Sequence, residues 1–185
     1  VLLLTTSRRP TPRIRTFCRD LTCSIPNVVR INRGKLSLDG IAEKTLELNA
    51  NQVIIVDRWK GGPGKIEFFK IGQEGLVLVP PIMYVAGIKL RREFDKVKTK
   101  PVRSLIITTS SEDSNEITRI ARSLSNFLNV PLSQMDKTVS KFKTSMHIST
   151  NDLHRTQVTF MLRLPENVEI GPRITLSHVV WETKK

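Results

Sequence analysis

A six-residue segment near the start of the chain returns 103 positions later. Leu2-Leu3-Leu4-Thr5-Thr6-Ser7 reads again as Leu105-Ile106-Ile107-Thr108-Thr109-Ser110, and the same offset aligns Ile14 with Ile117, Arg19 with Arg122 and Leu21 with Leu124. Each copy is a short aliphatic run, then polar residues, then a helical stripe. An internal repeat of this kind narrows the choice of fold more than any single motif, because each copy must bury the same faces. Alternation of strands and helices then predicts an α/β (α+β sandwich) fold in two similar halves. The halves are expected at residues 1–95 and 102–185, joined by a polar, basic linker at 96–101, within one domain spanning 1–185.

The run at Leu2–Thr6 is a buried strand by its length and aliphatic content. Thr11 can cap the following helix, and Pro12 suits its first position. Ile14, Phe17, Cys18 and Leu21 form its apolar stripe. In the second copy, Asp113 and Glu116 have capping-box spacing, and Ile117, Ile120, Ala121, Leu124, Phe127 and Leu128 form the stripe. Val28–Ile31 is a short extended run. Residues 37–50 predict a helix with Leu38, Ile41, Ala42 and Leu46 facing inward. Strands are expected over 52–56, 65–71, 76–85, 157–164 and 174–181, with a turn at Gly72–Gly75 and a weaker helix over 137–145.

Charge favours a polyanionic partner. The chain has 30 Lys and Arg against 17 Asp and Glu, a formal net charge of +13 and a pI of about 10.3. Each phosphate neutralised by such a surface releases counterions, which is the main driving force for nucleic-acid binding. The surplus is lopsided: residues 1–100 hold 19 basic and 9 acidic residues, whereas 101–185 hold 11 and 8. The two copies also diverge just after their first strand. Ser7-Arg8-Arg9-Pro10 in one corresponds to Ser110-Ser111-Glu112-Asp113 in the other.

Ligands of open α/β sheets gather beyond the carboxyl ends of parallel strands. Arg8 and Arg9 follow the first strand, Arg30 and Arg33 end and follow the second with Lys35 just beyond, and Arg58, Trp59 and Lys60 follow 53–56. If these strands are parallel, the three clusters meet at one edge. The first helix adds the partial positive charge of its N-terminus, and Arg13, Arg15 and Arg19 extend the basic surface along it. Trp59 can stack on a base or cover the sheet edge. Lys65 closes Gly61-Gly62-Pro63-Gly64-Lys65, which lacks the full spacing of a phosphate loop and leads into a strand, so a hairpin tip is the better reading. The RNA-binding candidates are therefore Arg8, Arg9, Arg13, Arg15, Arg19, Arg30, Arg33, Lys35, Arg58, Trp59, Lys60 and Lys65.

Catalytic and metal signals are weak. His147, His154 and His178 are scattered and lack ligand spacing. Ser7 and Ser110 stand at strand ends outside any nucleophile-elbow pattern. Cys18 and Cys23 lie roughly 140° apart around a helix, which is neither a zinc pair nor a disulfide framework and fits a reducing compartment. No apolar run reaches the length of a membrane span, and the start is too short for a signal peptide. No cofactor, small-molecule substrate or membrane partner is expected.

Leu3-Leu4-Thr5-Thr6-Ser7-Arg8-Arg9-Pro10, with Arg13, Phe17–Leu21, Pro26-Asn27 and Arg33-Gly34, resembles the start of a Brix domain. Residues 41–48 and 52–57 continue the likeness. The resemblance implies a ribosome-biogenesis protein that binds pre-ribosomal RNA, or a small guide RNA paired with it, beside ribosome assembly proteins. The branch it most resembles acts in small-subunit rRNA processing. It also implies two halves that each resemble the anticodon-binding domain of class II aminoacyl-tRNA synthetases. The nearly bare domain implies an archaeal, cytoplasmic member; a eukaryotic one would be nucleolar. The Gly-Pro-Thr motif of eukaryotic members is replaced here by Val79-Pro80-Pro81-Ile82. Two alternatives remain beside this reading: a small RNA-processing nuclease, and a tRNA-binding accessory module.

Overall fold

The computed structural model describes residues 1–94, 100–110, 114–134, 142–163 and 167–182. In chain order, the first part comprises β1 (Leu2–Thr6), α1 (Pro12–Ser24), β2 (Val28–Arg30), α2 (Leu38–Glu47), β3 (Gln52–Trp59), β4 (Gly62–Gly72) and β5 (Gly75–Lys89), with a 3-10 turn at Arg91–Glu93. There follow β6 (Ile106–Thr109), α3 (Asn115–Leu128), β7 (Leu132–Gln134), β8 (Thr144–Thr150), β9 (Thr156–Leu162), β10 (Val168–Glu169) and β11 (Arg173–Val180).

Among the described residues all strands join one mixed sheet, in the order β2-β1-β3-β4-β5-β11-β9-β8-β6-β7, with β10 paired to β9. The strand β1 is parallel to both β2 and β3, and β6 is parallel to both β7 and β8. In each case a helix crosses between the first two parallel strands. The central seam is antiparallel, β5 against β11.

Two helices share one face of this sheet. Ile14, Phe17, Cys18 and Leu21 of α1, and Ile117, Ile120, Ala121, Leu124 and Phe127 of α3, lie in a single apolar cluster with Leu4, Ile54, Phe68, Met83, Ile107, Met146, Phe160 and Ile174 of the strands. We call this the inner face. Phe68 of β4 meets Phe127 of α3 edge-on, with ring centroids 5.0 Å apart. Hydrogen bonds from Ser24 Oγ to the Gly171 carbonyl and from Ser123 Oγ to the Pro80 carbonyl, both 2.9 Å, cross between early and late parts of the chain. The opposite, outer face carries a smaller cluster, Leu3, Ile41, Val53, Ile55 and Phe69, under α2.

Local chemistry explains the helix starts. Thr11 caps α1 by accepting from the Ile14 amide, and Pro12 opens it. Such a side chain satisfies one of the orphan amides of the first turn. At α3 the cap is Ser114, which accepts from the Ile117 amide, rather than the expected Asp113, which lies outside the described residues. Asn129 closes α3 in the left-handed region, φ 52°, where asparagine is tolerated.

Two further expectations are corrected. The second helix runs only over Leu38–Glu47 and buries Ile41, Ala42 and Thr45, while Leu38 and Leu46 are 47% and 57% exposed. Leu46 stands about a quarter turn from that stripe at 100° per residue. Leu38 lies on the stripe but overhangs an open groove. Thr144 and Ser145, expected at the end of a helix, begin the strand β8, Phe142 and Lys143 before them are irregular, and 137–141 lie outside the described residues. In β8 only Met146 and Ile148 are apolar on the core side, a pattern too thin to announce a strand. Of the expected linker, Lys100 and Pro101 are exposed coil and 96–99 lie outside the described residues.

Candidate functional site

Parallel pairing brings the carboxyl ends of β1, β2 and β3 side by side. Leu4 is level with Arg30 of β2 and Ile54 of β3, and Thr6 with Val56. The residues that follow these ends therefore share one rim. Arg8 and Arg9 leave β1, Arg30 ends β2, Arg33 follows it and Arg58 is the penultimate residue of β3.

Two grooves open on this rim. One, on the α1 side, is lined by Thr6, Arg9, Arg15, Arg30, Asn32 and Arg33. The other, on the outer face, is lined by Arg8, Arg33 and Arg58 with Leu38, Ile55, Asp57, Glu67, Phe69 and Leu78. Arg33 belongs to both. It is anchored, its Nε donating to the Leu36 carbonyl at 2.9 Å and Nη1 to the Thr6 carbonyl at 3.4 Å. Burial and the neighbouring Arg8 charge lower its proton affinity, against the pull of Asp57. A guanidinium held in place beside another is a site short of negative charge.

Backbone placement reinforces the rim. Arg9 sits in the left-handed region at φ 57°, a conformation that non-glycine residues seldom adopt. Arg58 ties the loop to β3: its amide donates to Ser7 Oγ at 3.2 Å, and its Nη1 to the Arg9 carbonyl at 3.4 Å. Thr11 Oγ1 donates to the Gly61 carbonyl at 2.8 Å, so the first turn of α1 is pinned to the β3–β4 hairpin. That turn holds no acidic side chain, so its N-terminal partial charge is not offset locally.

The other sequence candidates separate into groups. Arg19 is exposed one turn beyond Arg15 on α1, and Lys35 is exposed in the loop before α2. Trp59 and Lys60 stand at the hairpin tip, Trp59 67% exposed. The glycine run is a hairpin: Lys60 and Gly61 have φ of 45° and 83°, and a Cβ on Gly64 would stand 2.0 Å from that of Trp59. Two candidates are turned to other tasks. Arg13 donates to the Ile88 carbonyl at 3.0 Å and lies 3.7 Å from Glu93, away from the rim. Lys65 lies 3.0 Å from Glu67 and 3.6 Å from Asp57, and these acids hold its ammonium form.

Sequence reasoning missed the apolar members of the outer groove, Leu38, Phe69 and Leu78, and a half-exposed aromatic stack. Tyr84 of β5 and His178 of β11 are parallel to within 10° at 4.4 Å between centroids. The register pairs them across the seam, which no local pattern announces.

Among the described residues, no group of three or more His, Cys, Asp and Glu is placed to hold a metal ion. The Cys18 thiol is pushed up to about 12 by burial, against the Arg30 charge, so it is no thiolate at neutral pH. No helix among the described residues is long and apolar enough to cross a membrane.

Comparison with known proteins places the chain. No protein-family model matches it. It is 32% identical over 131 residues to a "Probable Brix domain-containing ribosomal biogenesis protein" of Methanopyrus kandleri, covering 69% of this chain and 66% of that one. Proteins of the same description from Pyrococcus horikoshii and Aeropyrum pernix are 34% identical over 113 residues and 37% over 92, covering 60% and 49% of this chain and 50% of each of theirs. The matched stretch thus spans from half to about two thirds of these relatives' length. The crystal structure of a probable ribosomal biogenesis protein from Aeropyrum pernix superposes with a TM-score of 0.78 at 25% identity, covering 97% of this chain and 98% of that one. Mil, an archaeal Imp4-like protein, shares the fold with a TM-score of 0.65 at 18% identity, covering 97% and 99%. Fold and site together define a mixed α/β protein with, among the described residues, one large sheet, three α-helices and an arginine-rich rim at the parallel strand ends. The chain belongs to the Brix-domain family.

Proposed function

We propose that this protein is a ribosome-biogenesis factor that holds pre-ribosomal RNA, or a guide RNA paired with it, during small-subunit rRNA processing and assembly, in the cytoplasm of an archaeal cell. It acts by binding and positioning, beside other assembly proteins, and carries out no reaction of its own. One observation carries the reading: Arg8, Arg9, Arg15, Arg30, Arg33 and Arg58 converge on one rim at the ends of β1, β2 and β3. The names of the relatives support ribosome biogenesis as the setting. Contacts of guanidinium with phosphate position a strand and carry little sequence information, so RNA shape and protein partners supply the specificity. In the same reading, residues 1–95 and 102–185 are duplicated halves of one Brix-like domain, each of anticodon-binding type, joined by 96–101. Their matching strand orders, β2-β1-β3-β4-β5 and β7-β6-β8-β9-β11, support this.

The test is the double variant Arg8→Glu with Arg9→Glu, titrated by fluorescence anisotropy against labelled small-subunit rRNA fragments over a series of salt concentrations. Loss of two phosphate contacts on a single strand flattens the log–log salt slope by about 1.4, and affinity falls on all fragments alike. Unchanged affinity at fixed salt would remove the rim as the RNA site. Site-defined cleavage of the fragments in Mg²⁺ that co-purifies with the protein would replace the binder by a nuclease.

A further inference from the structure

We propose that the outer-face groove takes one unpaired base of a single-stranded RNA, with the phosphates on either side of it held by Arg8 and Arg58. This deepens the RNA-binding reading and rests on it.

The groove has the three parts that a nucleotide needs. Its rim is cationic, Arg8, Arg33 and Arg58. Its walls are apolar, with Leu38 from the first turn of α2 above and Ile55, Phe69 and Leu78 from β3, β4 and β5 below. The floor carries the carboxylates of Asp57 and Glu67, acceptors suited to the amino and imino groups of a base. Lys65 lies between them at 3.6 and 3.0 Å and offsets part of their charge. The cavity measures about 610 Å³ and is open to solvent.

Leu38 is the informative residue. At 100° per residue it falls on the same helix face as Ile41, Ala42 and Thr45, which are all buried. Yet it is 47% exposed, because the inward face of α2 overhangs the groove there instead of meeting a strand. A large aliphatic side chain held over an open, arginine-rimmed slot is an apolar surface awaiting a flat apolar partner. A peptide with acidic side chains fits less well, since its carboxylates would have to approach Asp57 and Glu67. A base in a duplex is stacked on both faces and cannot enter, so the groove selects unpaired RNA.

A second observation points the same way. Beyond the groove, no helix among the described residues covers the outer face. The register aligns Asp57 with Lys65, Lys65 with Tyr84, and Tyr84 with His178 across β3, β4, β5 and β11. A strand leaving the groove past Lys65 therefore meets the Tyr84–His178 stack, whose His178 is exposed and Tyr84 half-buried, and accessible rings are sequence-tolerant platforms for successive bases.

The experiment compares a labelled single-stranded RNA octamer with a hairpin duplex, on the full chain, by anisotropy. A 2-aminopurine in the octamer reports insertion. The test variant is Leu38→Ser, a small polar change at a half-exposed first helical position; circular dichroism checks the fold, and Leu38→Ala is the second variant. The wild type is expected to prefer the octamer and to change the 2-aminopurine emission. Both variants are expected to lower the octamer-to-duplex preference about five-fold or more, as loss of one stacked base does, and to abolish the emission change. Equal binding of octamer and duplex by the wild type, or an unchanged preference in both variants, overturns the proposal. If the Arg8→Glu, Arg9→Glu protein loses RNA while the Leu38 variants behave as wild type, the groove alone fails; if it binds RNA unimpaired, the underlying reading fails. A glutamate-rich peptide that displaces the octamer from wild type but binds neither Leu38 variant would assign the groove to a protein partner.

Discussion

Asp20 is 8% exposed on α1, and its Oδ2 accepts from the Arg91 amide at 2.9 Å. Burial raises its proton affinity above the usual carboxylate range, outweighing that hydrogen bond and the charges of Arg91, Arg19 and Arg92. The folded state therefore takes up the proton more readily than the unfolded chain, and the carboxylate form costs stability at neutral pH. Asp20→Asn keeps an oxygen for the Arg91 amide and removes the charge. Its melting temperature should exceed that of the wild type most at neutral pH, and the gap should close as the pH falls through the raised Asp20 value toward the ordinary carboxylate range; thermal melts across pH check this, and a gap that widens on acidification contradicts it. At this scale the sequence is readable in part. Arginines declare their charge by type, so the rim could be anticipated from Arg8, Arg9, Arg30, Arg33 and Arg58. Which basic residues are already engaged depends on register: Lys65 meets Asp57 across β4 and β3, and Arg13 meets the end of β5. No spacing in the sequence states either pairing.

Elements with strong local chemistry were the most legible. The start of α1 is written in Thr11 and Pro12, and the structure uses both. Thr11 also donates to the Gly61 carbonyl, so it joins a helix to a hairpin as well as capping. Thr11→Ala should lower stability by about 1 kcal/mol from the cap alone, measured by urea unfolding. Because the hairpin loses its anchor too, amide exchange near Gly61 should quicken more than at β1; equal effects at both places would reduce Thr11 to an ordinary cap. The start of α3 lies one residue beyond the expected cap because Asp113 and Ser114 are both good capping residue types, and sequence alone does not select between them. The face of α2 differs from expectation at Leu46, since a short helix meets few strands and a leucine on its flank stays exposed. The strand β8 escaped notice because its exposed and buried positions differ little in polarity.

The whole molecule is one body of sheet with α1 and α3 side by side in a common core. The helix α3 does not pack only on strands from its own part of the chain, as the Phe68–Phe127 contact shows. Truncating such a buried aromatic costs about 3–5 kcal/mol. For Phe127→Ala the loss should appear in hydrogen exchange at Ile66 and Phe68 of β4 as well as in α3 itself; protection lost in α3 alone would mean that the two parts of the chain unfold separately. The repeat in the sequence announced mixed strands and helices. It could not announce that both sets of strands would merge into a single sheet, because the β5–β11 seam unites segments with no local signal of one another.

That seam also sets a timetable for synthesis. The fifteen-residue strand β5 pairs with β4 early, but its other edge belongs to β11, the last of the described strands in chain order. A chain growing from its amino end must carry β5 half-paired while everything from β6 to β10 is added. Long open edges invite pairing with other chains. The interval before β11 arrives is therefore the period in which this protein most needs shelter, and the sheet closes only when Arg173–Val180 has been made.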